Sequence, residues 1–289
     1  MLLTANLTGG LGNQLFQIAT AYAYAKKYGF ELAFKDSWTS SPDRDPIWSY
    51  YFIYINPLPW KLISANQCRS FKWTSIRESY FFYTPIRAPS QPLQFTMLEG
   101  YYQSSQYFND YADEIRSLLQ IHPTYLEKAR AALSQAGINE ADGWIGAHVR
   151  RGDFIDHNQI PIHSVTNAGY FKRARARIEK DIGRRTVCWI TDDIEWVYKN
   201  VYEQGDVVQS SDKMTDFASL AQFRYIIMSN STFSWWATWL NPLDYEKTTR
   251  RICCPSKWFG PKGPAQYDSI YELDWIHVEV TKETETKSG

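Results

Sequence analysis

The sequence has few cysteines, no long apolar run and no excess of either charge. Its four cysteines are Cys68, Cys188, Cys253 and Cys254, and no C-x-x-C spacing occurs among them. This arrangement indicates neither a zinc site nor a disulfide framework, and it is typical of proteins from a reducing compartment. No stretch approaches the roughly 18 apolar residues that a membrane span needs.

The charge balance restricts the class of partner. Lys plus Arg and Asp plus Glu both number 31, which gives a formal net charge of zero. Broad nucleic-acid binding depends on a basic face that neutralises phosphates, so we expect no nucleic-acid partner. A small cationic pocket for one diphosphate is still compatible with this balance. Because the opening MLLTANLTGG lacks the basic and apolar regions of a signal peptide, we expect a cytoplasmic protein with at most peripheral membrane contact.

Aromatic residues are abundant, at 16% of the chain, with 12 Trp and 20 Tyr. Aromatic rings can pack on the CH faces of a sugar while hydroxyls bond at the ring edges. Most such rings fill cores and interfaces instead. Composition therefore gives only a hint of a carbohydrate ligand.

Strand and helix patterns alternate along most of the chain. LLTANL, LFQIATAYAYAKKYG and FELAF read as strand, helix and strand around a glycine-rich turn. From residue 144, the strands WIGAHV, TVCWIT, DVVQS, RYIIMSN and RRICCPS alternate with helices, and Ser231 or Thr232 is suited to cap the helix STFSWWATWL. This alternation predicts an α/β fold with parallel, doubly wound sheets. Two such regions predict two Rossmann-like domains that face each other across a cleft.

The same pattern predicts the domain limits. We expect an N-terminal domain over 1–140, a C-terminal domain over 141–275 and a polar tail over 276–289. Between the two regular regions, 111–137 reads as one or two amphipathic helices. The aromatic-rich segment 36–110 has several prolines and little periodicity, and we interpret it as loops and short helices.

Four segments with chemically useful side chains follow predicted strands, where ligands bind in open α/β sheets. The first is GGLGNQ at 9–14. Its glycines let the backbone approach a ligand at a helix N-terminus, or form a tight turn without one. It is not the dinucleotide fingerprint, because Leu15 occupies the third glycine position after Gly10 and Gly12. This disfavours a nicotinamide-dependent oxidoreductase.

The second segment is HVRRGD at 148–153. An arginine fork can hold a diphosphate through two bonds and neutralise the charge of a leaving group. Asp153 could orient one of the arginines or take part in the chemistry. The alternative is a structural Arg–Asp pair at a domain interface.

The third and fourth segments follow later strands. Thr191-Asp192-Asp193 could hold a metal ion, but it has no third ligand nearby and forms no D-x-D motif, so a helix cap is the better interpretation. In NSTFSWW at 230–236, hydroxyls at a helix N-terminus can cradle a phosphate, or one of them can act as an ordinary cap. Its two tryptophans are suited to anchor that helix in the core.

Taken together, these segments resemble the α-1,2-fucosyltransferase family, glycosyltransferase family 11. The segments that carry the resemblance are GGLGNQLFQIATAYAYAKKYG, GYYQSSQYF at 100–108, HVRRGDF, ITDDIEW at 190–196, SNSTFSWWATWLN and CCPSKWFGP at 253–261. They span about 250 residues in the family's order. The region around 40–95 matches nothing that we can identify, and we expect acceptor choice to lie there.

The resemblance implies a GT-B-like architecture, no cofactor or metal, and GDP-fucose as the donor substrate. It implies that Arg150 contacts the donor diphosphate and that His148 and Asp216 lie near guanine or ribose. By the same similarity, Ser231, Thr232 and Ser234 would cradle phosphate. Gly10, Asn13 and Gln14 would line the cleft near the reacting sugar.

The reaction implied is an inverting transfer of L-fucose from GDP-β-L-fucose to the 2-hydroxyl of a β-galactoside, within a galactose-containing oligosaccharide. Arg150 and Asp153 are the candidate catalytic residues, and His157 is a second candidate for the base. Transfer of another GDP-sugar is the nearer alternative. A non-catalytic glycan-binding protein on the same fold is the more distant one.

Overall fold

The computed structural model describes residues 1–36, 47, 59–91, 93–241 and 249–281. The chain folds into two compact units. The first comprises 1–122 with 266–272, and the second comprises 123–265 with 273–289. The helix pair predicted over 111–137 is confirmed as α3 and α4, and it is divided between the two units.

Within its described residues, the first unit contains a five-stranded parallel sheet in the order β3-β2-β1-β5-β4. Its strands are β1 Leu2–Ala5, β2 Glu31–Lys35, β3 Lys61–Ile63, β4 Thr74–Arg77 and β5 Phe95–Glu99. Its helices are α1 Leu11–Tyr28, α2 Ala65–Ser70 and α3 Ala112–Leu118. Short 3₁₀ turns cover Ser105–Tyr107, Asn109–Tyr111 and Asp268–Ile270.

Helix α1 forms where its sequence predicts it. Leu15, Ile18 and Ala19 are fully buried, so the apolar stripe of the helix covers the sheet. The helix ends at Gly29, whose left-handed backbone (φ 71°) lets its N–H bond the carbonyl oxygen of Ala25. The predicted βαβ unit at the N-terminus is therefore confirmed.

The described part of the second unit contains a six-stranded parallel sheet in the order β11-β10-β9-β6-β7-β8. Its strands are β6 Ile145–Val149, β7 Val187–Thr191, β8 Val207–Gln209, β9 Tyr225–Ile227, β10 Arg251–Pro255 and β11 Ile276–Val278. Every residue of β6 and β7 is buried, which explains why both read as unbroken apolar runs. The predicted tail thus begins with a strand, and residues 282–289 lie outside the described residues.

The helices of the second unit follow its strands in alternation. They are α4 Pro123–Gln135, α5 Ala168–Ile182, α6 Ile194–Asn200, α7 Lys213–Leu220 and α8 Thr232–Trp239, with 3₁₀ turns at Ala141–Gly143 and Gly152–Ile155. Strands β7 and β8 extend the sheet on one side of β6, whereas β9, β10 and β11 extend it on the other. The strand order therefore reverses between β6 and β9, and such a switch point is where open α/β sheets bind ligands. The predicted α/β class of two parallel sheets is confirmed.

The interpretation of 36–110 as loops and short helices is wrong for part of that segment. Strands β3, β4 and β5 lie within it, and all three pair in parallel with neighbours in the first sheet. The strands were missed because β3 and β4 are short and lie at the two edges of the sheet, where few of their side chains are buried. Residues 37–46, 48–58 and 92 of the segment lie outside the described residues.

Two further features bear on the sequence-based expectations. All four cysteines are free thiols, and three of them are buried. None of the described helices combines the length with the hydropathy that a membrane-spanning helix requires.

A buried ionic network joins α5 to the sheet of the second unit. The Asp206 carboxylate accepts hydrogen bonds from the Arg175 guanidinium at 2.9 Å, the Val187 backbone N–H at 2.9 Å and the Trp189 indole N–H at 3.0 Å. Both charged residues are 5% exposed. Arg175 also contacts Glu179, so its charge is neutralised from two sides. Removing Asp206 would leave Arg175 with only its less buried partners and would leave buried N–H donors without an acceptor.

We therefore expect Asp206→Ala to lower the free energy of unfolding by about 3–5 kcal/mol, because Arg175 loses its most buried partner and the N–H groups of Val187, Trp189 and Glu203 lose their acceptor. Urea unfolding followed by circular dichroism measures this. Asp181→Ala is the matched control, since Asp181 pairs with Arg177 and Arg251 at the surface, where water screens ion pairs, and its loss should change the free energy of unfolding far less. Equal losses in the two variants would contradict the assignment.

Candidate functional site

The first feature of the site is a buried histidine at the switch point of the second sheet. His148 lies on β6, and its Nδ1 is 2.9 Å from the Ser229 hydroxyl oxygen, just beyond the end of β9. The Phe233 ring stacks on the imidazole with centroids 5.0 Å apart. Burial, with a smaller contribution from the Arg150 charge, lowers the pKa of His148 to about 3. The imidazole is therefore neutral near pH 7, and it serves as a polar group rather than as a cation.

Arg150 follows the end of β6 and is held between two carboxylates. One terminal nitrogen donates to Asp192 at 2.6 Å, and the other donates to Asp153. The side chain is 28% exposed, so these pairs are only partly shielded from water. The predicted pairing of Arg150 with Asp153 is present. The second partner of Arg150, Asp192, follows the end of the neighbouring strand β7. The guanidinium has further N–H donors that these two bonds do not use.

The Thr191-Asp192-Asp193 segment caps a helix and also binds arginine. The Asp193 carboxylate accepts from the Trp196 backbone N–H at 3.0 Å, which confirms the predicted cap of α6. It also accepts from Arg151 Nε at 3.0 Å, and Asp192 accepts from the Arg151 backbone N–H at 2.8 Å. Over the described ranges, no group of three or more His, Cys, Asp or Glu side chains could hold a metal ion. That the reaction needs no metal stays a prediction.

Aromatic rings hold Arg150 from the side of the loop that follows it. Its guanidinium carbon lies 5.7 Å from the centre of the Phe154 ring. The His163 imidazole stacks on that ring at 4.1 Å, almost parallel. The loop is fixed in turn by the Gly260 backbone N–H, which donates to the Ile162 carbonyl oxygen at 2.8 Å. The position of Arg150 therefore depends on residues more than a hundred positions further along the chain.

The hydroxyl-rich segment begins α8, next to His148. Ser231 caps this helix by accepting from the Phe233 backbone N–H at 3.3 Å, and Thr232 is its first residue. Ser234 is fully buried, and its hydroxyl donates to the carbonyl oxygens of Ser229 at 3.1 Å and Ser231 at 3.0 Å. The Ser234 hydroxyl thus braces the turn from inside. Ser231 and Thr232 lie at the positively polarised helix end.

Asp216 lies apart from these groups, in the first turn of α7 beyond β8. Burial raises the pKa of its carboxyl to about 6, although hydrogen bonds from the Gln209 side chain and the Ser211 backbone N–H act in the opposite direction. Its neighbour Phe217 contacts Phe233 at 5.2 Å between ring centres. Helix α7 therefore packs on the same aromatic group that covers His148.

In the first unit, the turn after β1 is braced by side-chain amides. Gln14 donates to the Gly9 carbonyl oxygen at 2.9 Å and accepts from the Ile47 N–H at 3.1 Å. The Asn13 side-chain oxygen Oδ1 accepts from the Gln103 side-chain amide nitrogen Nε2 at 2.9 Å. Gly10 forms the N-cap of α1. These contacts bring Gly10, Asn13 and Gln14 together at the carboxyl edge of the first sheet, beside β5.

Several residues of the site escaped the sequence-based prediction. Ser229 and Gln103, the partners of His148 and Asn13, lie within segments that carry the family resemblance, but neither residue was assigned a role from the sequence. Phe154 and His163 hold Arg150, and their pairing spans a loop. Asp192 was considered only as a metal ligand or a helix cap, and its bond to Arg150 was missed. The signal for that bond is that Asp192 follows β7, because adjacent parallel strands end at the same sheet edge.

The chain matches a known family over most of its length. The profile of "Glycosyl transferase family 11" matches residues 63–279. An α-1,2-colitosyltransferase of Escherichia coli is 23% identical over 96% of this chain and 99% of its own length. Galactoside α-(1,2)-fucosyltransferase 2 of Pongo pygmaeus is 28% identical over 82% of this chain and 68% of its own length.

A solved structure supports the fold. The structure of NodZ α-1,6-fucosyltransferase co-crystallized with GDP aligns with a TM-score of 0.53 and 14% identity. The alignment covers 83% of this chain and 92% of that one. At this identity the likeness supports the fold alone, and it agrees with the predicted GT-B-like class.

The buried histidine gives a pH-dependent prediction. Because the pKa of His148 is about 3 in the folded chain, against 6.5 ordinarily, the unfolded chain binds a proton between these values that the folded chain does not. Folding stability should therefore fall as the pH drops below about 6.5, and His148→Gln should remove that part of the fall.

Long-range ¹H–¹⁵N NMR tests the cause directly, since the His148 ring signals should not titrate between about pH 5 and 8. The same ring in the urea-unfolded chain is the control and should titrate normally. A midpoint near 6.5 in the folded protein would contradict the prediction.

Proposed function

The chain belongs to glycosyltransferase family 11, and we propose that it transfers L-fucose from GDP-β-L-fucose to the 2-hydroxyl of a β-galactoside. The observation that carries this proposal is the pre-oriented Arg150 beside the hydroxyl-rich start of α8, at the switch point of the second sheet. The names of relatives add support, since the α-1,2 linkage is common to both and one names a galactoside. The neighbour crystallised with GDP supports a guanine-nucleotide donor.

In the proposed reaction, the acceptor oxygen attacks the anomeric carbon of fucose while the bond from that carbon to the diphosphate breaks. The bonding electron pair leaves with GDP, and the acceptor proton passes to a base. Attack from the face opposite the leaving group inverts the β-linked donor to an α product. Charge on the departing GDP is met by Arg150, by the N-terminus of α8 and by the hydroxyls of Ser231 and Thr232.

The remaining site residues have supporting roles in this proposal. The neutral imidazole of His148 and the carboxylate of Asp216 bind the guanine base or the ribose of the donor. Both side chains lie on elements that pack around Phe233. Ser234 stabilises the turn that carries the phosphate cradle. Asp153 is the candidate base, and its pairing with Arg150 also suits it to orient that arginine. His157, which is exposed, is the second candidate for the base.

In the first unit, we propose that Gly10, Asn13 and Gln14 lie near the reacting sugar. Their turn occupies the carboxyl edge of a parallel sheet at a reversal of strand order between β1 and β5. The Asn13–Gln103 bond orients an amide there. We assign the acceptor to this unit and the GDP-sugar to the second.

A second candidate differs only in the sugar that is transferred. The E. coli relative that matches nearly the whole chain is named for colitose, which is fucose without its 3-hydroxyl. Transfer of this or another GDP-sugar would use the same nucleotide site. Competition between GDP-fucose and GDP-colitose at equal concentration distinguishes the two donors, because the preferred one should dominate the product by mass.

The proposed function is tested by incubating the protein with GDP-fucose and lactose in EDTA, followed by mass spectrometry and NMR of the product. We expect one added fucose, α-linked to galactose O2, without any metal. GDP binding without transfer would limit the failure to the acceptor. Glycan binding without GDP binding would indicate the non-catalytic alternative, and the absence of both would contradict the proposal.

Arg150→Ala should lower kcat/KM for fucose transfer by about 10²–10³-fold, because the developing charge on GDP loses its principal cation. Arg150→Lys should restore only part of the loss, since an ammonium group lacks the planar fork. Steady-state kinetics measure both variants, and circular dichroism checks that they are folded. Arg130→Ala, an exposed arginine on α4, is the control and should be unaffected. Near-normal turnover by folded Arg150→Ala would contradict the role of this residue.

A further inference from the structure

The first unit contains a cavity that no step of the proposed reaction uses. It has a volume of about 130 Å³ and is lined by residues of β4, of the segment that follows it and of the 102–107 turn. Its polar lining includes Arg77, Glu78, Ser79, Thr84 and Arg87, and the rings of Tyr102 and Tyr107 complete the wall. Aromatic rings together with hydrogen-bond donors and acceptors suit the binding of a polyhydroxylated ring.

The inner wall of this cavity is firmly built. Both Glu78 carboxylate oxygens accept backbone N–H groups, from Tyr101 at 2.7 Å and from Tyr102 at 3.0 Å. A Cβ on Gly100 would lie 2.4 Å from the Glu78 Cβ, so only glycine fits there. Tyr102 adopts a left-handed backbone (φ 52°), which is rare for an aromatic residue. Such a conformation persists only where its surroundings hold it, and it is often found at ligand sites.

The outer wall is fixed to α1. The hydroxyls of Tyr24 and Tyr28 donate to the carbonyl oxygens of Arg87 and Ile86, each at 3.2 Å. The Tyr107 hydroxyl accepts from the Thr84 backbone N–H at 3.2 Å. Both walls are therefore held by hydrogen bonds within the unit, and the cavity is a formed site.

The charges around the cavity favour a neutral ligand over an anion. Arg77 is already paired with Glu99 at 2.6 Å, and the Glu78 carboxylate would repel a phosphate or a carboxylate. Arg87 is exposed, and over the described part of the chain its guanidinium makes no hydrogen bond or ion pair. It can therefore donate to ligand hydroxyls.

The position of the cavity matches a sugar next to the one that reacts. It lies at the carboxyl ends of β4 and β5, and β5 pairs with β1, whose following turn carries Gly10 and Asn13. The Ile86–Arg87 wall lies beside Tyr28 and Tyr24, in the C-terminal half of α1 and farther from Gly10, so the end of the cavity at Arg77 and Glu78 is the nearer one. With neighbouring strands about 4.8 Å apart, that end lies about 10 Å from β1. That separation is comparable to the length of a disaccharide.

We propose that this cavity is an acceptor subsite that binds the pyranose ring adjoining the galactose that receives the new sugar. The proposal rests on the proposed function for the identity of the reaction. The Glu78 carboxylate accepts hydrogen bonds from the hydroxyls of this sugar ring, and the Arg87 guanidinium donates hydrogen bonds to them. The Tyr107 ring contacts the apolar face of the sugar. A disaccharide acceptor should therefore be preferred over a single galactose unit.

The test compares kcat/KM for lactose with kcat/KM for methyl β-galactoside, using GDP-fucose as donor. Arg87→Ala removes a donor at the mouth of the cavity, and Ser79→Trp fills it; both positions are exposed, so folding should be retained. In each variant the preference for lactose should fall about tenfold or more, because a charged hydrogen bond or the whole ring contact is lost. Values for methyl β-galactoside and the GDP affinity should not change. Arg130→Ala is the matched control.

An unchanged preference for lactose in both variants would overturn the subsite and leave the proposed function intact. Failure of the wild-type protein to fucosylate either acceptor would instead contradict the proposed function. In that case saturation-transfer NMR with lactose, which needs no turnover, tests the cavity directly. Signals from the glucose ring that disappear in Ser79→Trp support the subsite, and signals that persist there overturn it.

Discussion

A polar group that leaves water must find a hydrogen-bond partner, and the carboxyl edge of the second sheet is built on that requirement. His148 is buried in the sheet, so it is held neutral and bonded to Ser229 on the neighbouring strand end. The partner fixes the turn before α8, and Phe233 from that helix covers the imidazole. Strand, turn and helix start are therefore positioned by one desolvated contact.

The same requirement explains the arginines that follow. Arg150 and Arg151 emerge from a fully buried strand, and each meets carboxylates that follow the next strand. These pairs are partly exposed, so they contribute little to stability compared with the buried Asp206 network. Their consequence is geometric, since a guanidinium held in one orientation loses less entropy when a ligand binds. A diphosphate at this edge would meet a cation that is already in position.

In the first unit, a constrained backbone at Gly100 and Tyr102 orients a side chain at the sheet edge. Gly100 lets the chain approach Glu78, whose carboxylate holds the left-handed turn at Tyr102. That turn leads directly to Gln103, which orients Asn13 beside the glycine-rich turn. The cost of an unfavourable backbone conformation is thus offset by hydrogen bonds that converge on one sheet edge. In both units, the unusual features, which are the left-handed backbone of Tyr102 and the buried His148, therefore lie at or near the ends of parallel strands.

The features of this protein that have local causes can be read from its amino-acid sequence. Helical periodicity specifies α1, and unbroken apolar runs specify β6 and β7. Gly29 ends α1, and the Asp193 side chain caps α6. The short strands β3 and β4 depend on tertiary contacts, because they have too few buried residues to produce a pattern in the sequence. Tertiary contacts also bring Glu78 to the Tyr102 turn, and they make Asp192, out of the several polar residues at the strand ends, a partner of Arg150. These partners are brought together by strand pairing across many residues, and local periodicity carries no record of which strands become neighbours.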